Sequence, residues 1–147
     1  MKTVQGFKDE YRWLSNFWPS PVLLYGKKYP SVENAYQAAK TLDKKARKPF
    51  ETCKPGEAKR AGKALPLRDD WHDVKISVMR DLLQQKFHPC GSLSKKLLAT
   101  GDAKLMEGNN WNDRYWGVSP VGGVGLNLLG ILLMDVRQDL KRWRGKK

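Results

Sequence analysis

Two runs of helical periodicity constrain this chain most. Val74, Val78 and Leu82, with Met79, Leu83 and Phe87, recur every fourth residue and line one face of a helix about four turns long. Leu128, Ile131, Leu132, Met134, Val136 and Leu140 do the same for a last helix predicted over residues 127–144. Amphipathic helices must bury their apolar stripe against a partner. A mainly helical fold is therefore expected.

The remaining signals are short. Val22-Leu23-Leu24-Tyr25 followed by Gly26-Lys27-Lys28-Tyr29 reads as a hairpin turning at Gly26. Ser31 reads as the N-cap of a helix that runs through Ala35 to Lys40, with Glu33 in its first turn to suit the dipole. Pro55 opens a short helix over residues 57–63, and Asp69 or Asp70 caps the next one. His88-Pro89-Cys90-Gly91 ends that helix, and Ser92 or Ser94 starts another through Ala99. A turn at Gly101 and a brief strand at residues 104–107 follow, then an irregular stretch over 109–125. No alternation of strand and helix appears. The expected fold is α+β, mainly helical, a single compact domain over 1–147 with a few short N-terminal strands. Residues 141–147, with five basic groups and no acid, read as a flexible tail.

Composition excludes several classes. The chain has 147 residues and a formal net charge of +13. It is long enough to bury a core without staples. No apolar stretch approaches the ~20 residues of a membrane span. No secretory leader is read at the N-terminus. Cys53 and Cys90 make no disulfide framework, and His72 and His88 complete no metal-ligand spacing. A cytoplasmic protein is expected, with no metal, cofactor, membrane or obligate protein partner. The charge favours anionic ligands. Eight basic residues against two acidic ones lie between Lys44 and Lys63.

Two constellations can carry chemistry. Glu33, Tyr36, Gln37 and Lys40 fall at i, i+3, i+4 and i+7, on one helical face. That face is either a solvated exterior or the polar wall of a pocket, where a carboxylate and an amine shift each other's pKa. The second runs from Glu107 to Val118, where Asn and Asp side chains share a loop with Trp111, Tyr115 and Trp116. Such a loop either stacks a flat ring and reads its edge or forms a small aromatic cluster. Trp71, preceded by Arg68-Asp69-Asp70, repeats the theme.

Taken in order, the motifs form a pattern. They are Leu14-Ser15-Asn16-Phe17, residues 31–40, Arg68-Asp69-Asp70-Trp71, Lys86-Phe87, residues 97–101, Asn112-Asp113-Arg114-Tyr115-Trp116-Gly117 and residues 125–134. Together they resemble the NADAR family, which includes the YbiA-like N-glycosidases, over nearly the whole chain.

The resemblance implies a small helical α+β domain that hydrolyses the bond between a nitrogenous base and a ribose phosphate. One branch acts on reactive riboflavin-pathway intermediates. Another releases ADP-ribose from modified guanine in DNA or RNA. The implied catalytic residues are Glu33, Lys40 and Asp113. The implied substrate-binding residues are Trp71, Trp116, Asn16, Gln37, Tyr36, Arg12, Arg68 and Arg114, the arginines as phosphate ligands. Asn34 stands where some relatives carry histidine, which leaves Glu33 and Lys40 to do the chemistry. The expected partner is a small ribose-phosphate substrate. ADP-ribosylated nucleic acid is the alternative, and a non-catalytic module binding ADP-ribose or a nucleotide is a third reading.

Overall fold

A computed structural model describes residues 2–109, 113–119 and 125–145. In chain order the elements are β1 (Thr3–Gln5), a 3₁₀ turn (Asp9–Leu14), β2 (Val22–Leu24), β3 (Lys27–Tyr29), α1 (Val32–Ala38), α2 (Lys44–Arg47) and a second 3₁₀ turn (Lys48–Glu51). They continue with α3 (Pro55–Lys63), α4 (Trp71–Lys86), α5 (Ser92–Ala99), β4 (Lys104–Met106) and α6 (Leu128–Gly145). The mainly helical α+β expectation holds. Two compact units can be described within the chain. One is Asn16–Lys86; the other joins the residues up to Ser15 with those from Phe87 onward. Among the described residues, no helix is long and apolar enough to cross a membrane.

The unit Asn16–Lys86 is built around α1. Tyr25 and Gly26 both take positive φ, 50° and 79°, so the β2–β3 hairpin closes in two residues with the twist that strands prefer. Ser31 then caps α1: its Oγ accepts from the Asn34 N–H at 3.1 Å and donates to Asn34 Oδ1 at 2.6 Å. Asn34 Nδ2 donates to the carbonyls of Phe50 (2.9 Å) and Cys53 (2.8 Å), tying the second 3₁₀ turn to the helix. Every residue of α1 is buried, because α3, α4, the hairpin and the second 3₁₀ turn all pack on it. Its alanines permit that close approach.

The apolar stripe of α4 buries Val78, Met79, Leu82 and Leu83 as the period requires. Lys86 is buried too. Desolvation pushes its ammonium pKa down to about 7, from an ordinary 10.5. Between about pH 7 and 10.5 the unfolded chain therefore binds a proton that the native state does not. Stability should rise with pH across that window, and the full cost of burying the amine is present below it. Lys86→Met should remove the slope. Thermal unfolding of both proteins at pH 7 and pH 9 measures it. Equal pH slopes in the two would contradict the assignment.

In the other unit β1 pairs in parallel with β4, Val4 opposite Leu105. Asn127, at φ 53°, stitches β4 to α6: Nδ2 donates to the Leu105 carbonyl at 2.9 Å and Oδ1 accepts from the Glu107 N–H at 3.0 Å. Gly130 lets α6 lie directly on the Leu105 carbonyl. Helix α6 ends at Gly145, one residue past its predicted Arg144 end, and takes in residues 141–145 of the basic tail. Lys141 explains part of this, since its Nζ binds the Gly101 carbonyl at 3.0 Å and Asp102 at 2.8 Å. Basic side chains also suit a helix C-terminus.

Candidate active site

The polar face of α1 is not a solvated exterior. Glu33 is 9% exposed, Gln37 6% and Tyr36 7%, while Lys40, just past the helix, is half-buried. Charged and amide groups rarely sit this deep without a purpose that offsets desolvation. The Glu33 N–H donates to the Asn16 carbonyl at 3.1 Å, and Glu33 Oε2 accepts from Gln37 Nε2 at 3.1 Å. Asn16 Nδ2 points to the Met79 sulfur at 3.5 Å. No donor among the described residues reaches the buried Asn16 Oδ1.

Lys40 is held at both ends of its backbone. Its N–H donates to the Gln37 carbonyl at 3.2 Å, and its carbonyl accepts from the Arg68 N–H at 2.7 Å. The ammonium lies 5.9 Å from the centroid of the Tyr36 ring. Burial pushes its pKa down; the Glu33 carboxylate pulls it back up, and the charge of Lys63 lowers it further. Behind the pair, the Tyr36 and Trp71 rings meet at 5.2 Å and 56°. Trp71 is buried, so it backs Tyr36 firmly.

Arg68 is tied down by its neighbours. Nε and Nη2 grip the Asp70 carboxylate at 2.6 and 3.0 Å, and Nη1 donates to the Tyr25 hydroxyl at 2.9 Å. The guanidinium holds the Asp70 carboxyl below the usual range. With its backbone N–H on Lys40 as well, Arg68 fixes the position of that residue. Asn16, Glu33, Tyr36, Gln37, Lys40, Arg68 and Trp71 thus all belong to one unit.

The other candidates belong to the second unit. Asp113 Oδ1 accepts from the N–H groups of Tyr115 and Trp116, both at 3.0 Å, so the carboxylate sets the turn that carries Trp116. Asn109 clamps Asp113 from below, donating to its carbonyl at 2.8 Å and accepting from its N–H at 2.9 Å. The Tyr115 and Trp116 rings meet edge to face at 4.9 Å. Arg12 and Arg114 are exposed. Trp111 and Asn112 lie outside the described residues. No grouping of three His, Cys, Asp or Glu fit for a metal occurs among the described residues.

A sequence model of the NADAR domain matches residues 4–141, across both units. The chain belongs to the NADAR family. It is 42% identical to the N-glycosidase YbiA of Escherichia coli over 135 residues, 90% of this chain and 83% of that protein. An N-glycosidase of Nostoc punctiforme is 35% identical over 89% of this chain and 86% of its own. The solution NMR structure of E. coli YbiA matches with a TM-score of 0.87 at 38% identity, covering 99% of this chain and 89% of that one. A riboflavin biosynthesis protein of Vibrio vulnificus is 35% identical over 90% of this chain, though over only 36% of its own length.

Asn34, within the 31–40 motif, is a buried structural tie. One residue of this NADAR domain escapes a reading of motifs. Gly62, in α3, lies against Gln37 so closely that a Cβ there would overlap Gln37 Oε1. A glycine within a helix-forming run was the one signal for it.

Proposed function

We propose that this chain hydrolyses the N-glycosidic bond between a nitrogenous ring and a ribose phosphate, with reactive riboflavin-pathway intermediates as its substrates. One observation carries the reading: a buried carboxylate and an amine of lowered basicity, Glu33 and Lys40, stand on one face of α1 beside the Tyr36–Trp71 pair. Relatives named N-glycosidase and riboflavin biosynthesis protein support the same bond and substrate class.

Breaking the bond builds positive charge on the ribose and negative charge on the leaving nitrogen. The Glu33 carboxylate stabilises the first. The substrates are glycosylamines, whose ribose ring opens to a C1′=N imine. The free amine of Lys40 adds to C1′, and the C1′–N bond to the exocyclic nitrogen of the base then breaks. The two protons lost by the Lys40 nitrogen pass through Glu33 to the leaving nitrogen, which departs as a neutral amine. Water then adds to the Lys40–ribose imine, frees the lysine and releases the ribose phosphate as its aldehyde. Lowered basicity keeps more of Lys40 in the reactive form near neutral pH. Tyr36, backed by Trp71, offers an aromatic edge of the pocket, and Asn16 Oδ1 an acceptor for a ring N–H. For Asp113 and Trp116, and for the exposed Arg12 and Arg114, the resemblance alone implies the roles of carboxylate, ring platform and phosphate ligands.

Product analysis tests this. The protein is incubated with an aminopyrimidine ribose phosphate and, separately, with DNA carrying ADP-ribosylated guanine. Free aminopyrimidine from the first is expected. Release of ADP-ribose from the second alone, falling steeply with salt, would move the substrate to nucleic acid. ADP-ribose binding without product from either would leave a binding module.

A further inference from the structure

We infer that Gln37 and Gly62 form a positioning pair for Glu33, with the missing side chain of Gly62 making room for the amide that holds the carboxylate. The inference rests on the proposed role of Glu33. A carboxylate only accepts, so the contact at 3.1 Å fixes which end of the Gln37 amide faces Glu33: the NH₂ group. Oε1 must then point away, toward α3. Gly62 lies there. A Cβ on it would overlap Oε1 and come within 2.6 Å of Gln37 Cδ and 3.2 Å of Gln37 Cβ.

This arrangement accounts for two oddities together. Gln37 Oε1 is buried, yet no N–H or O–H donor among the described residues reaches it. The Gly62 Cα hydrogen that a side chain would replace is directed at it, a weak Cα–H···O contact. Glycine within a helix costs about 1 kcal/mol against alanine. Gly62 has no positive φ to justify that cost, so space for Gln37 is the reason. Gln37 therefore acts through Glu33, rather than as a substrate ligand in its own right.

A double-mutant cycle on kcat and KM, with the aminopyrimidine ribose phosphate as substrate, tests the pair. Gln37→Met keeps the bulk and removes the donor; Gly62→Ala inserts the obstructing methyl. Each should lower kcat roughly tenfold to a hundredfold, with KM within about threefold of wild type. In a Gln37→Ala background, where the obstructed side chain is gone, Gly62→Ala should lower kcat no further. A second readout needs no activity. The ¹³C signal of the Glu33 carboxylate, identified by its loss in Glu33→Gln, should move in both single variants. Equal kcat losses from Gly62→Ala in both backgrounds, a raised KM with kcat intact in Gln37→Met, or an unmoved carboxylate signal would each overturn the pairing. Failure of Gly62→Ala to fold, with rescue in the double variant, supports it; failure of both assigns Gly62 to packing alone. If the wild-type protein cleaves no glycosylamine, the proposed reaction falls and the carboxylate signal alone decides this inference.

Discussion

Glu33→Gln should lower kcat by roughly 10²–10⁴-fold while the folded protein becomes no less stable. The two effects separate because the substitution is isosteric. The new side-chain carbonyl still accepts from Gln37 Nε2, so the contact at 3.1 Å survives in kind. The Asn16 carbonyl still binds the backbone N–H. What disappears is a negative charge in a buried setting, and a neutral amide is cheaper to bury there. Activity and stability then move in opposite directions, the mark of a group kept for chemistry. Circular dichroism melts and steady-state kinetics on one preparation measure both. A variant that keeps its rate, or that loses rate only in step with its melting temperature, would remove Glu33 from the reaction.

Lys40→Arg should be nearly as inactive as Lys40→Met, each down at least about a hundredfold. Arginine preserves the charge and the approach to the Tyr36 ring but cannot form an imine. Borohydride added during turnover should reduce the Lys40–ribose imine to a stable amine. Mass spectrometry would then find the added pentose phosphate on the peptide holding residue 40. The pH profile adds a sign. Burial lowers the basicity of Lys40, and the positive charge of Lys63 lowers it further. Activity should rise with pH as the ammonium loses its proton, below the ordinary 10.5 of lysine. Lys63→Gln removes a like charge, favours the protonated form and should shift that rise to higher pH. Near-full activity in Lys40→Arg would end the covalent route.

Local chemistry made much of the fold legible. The Gly26 turn, the Ser31 cap, the Pro55 start of α3 and the two long amphipathic helices are written in neighbouring residues. The pairing of β1 with β4 is not, because its two strands, Thr3–Gln5 and Lys104–Met106, are far apart in the sequence and their register depends on how α6 packs. The end of α6 is legible from its periodicity, whereas the anchoring of Lys141 on Asp102 is a contact between distant segments. At the site, spacing grouped Glu33, Tyr36, Gln37 and Lys40 but left burial undecided. Glu, Gln and Lys are exposed by default, and only packing of α3, α4 and the hairpin around α1 turns that face inward. Gly62 was hidden for the same reason: its purpose is a contact with another helix.

The proposed work of this buried face is to cleave an N-glycosidic bond. The most direct measurement is a time course of the purified protein on an aminopyrimidine ribose phosphate, following both products by liquid chromatography and mass spectrometry, with Glu33→Gln alongside. Free aminopyrimidine and ribose phosphate should appear one to one with wild type, and almost none with the variant. Intact substrate with wild-type protein, or equal release by both proteins, would contradict it.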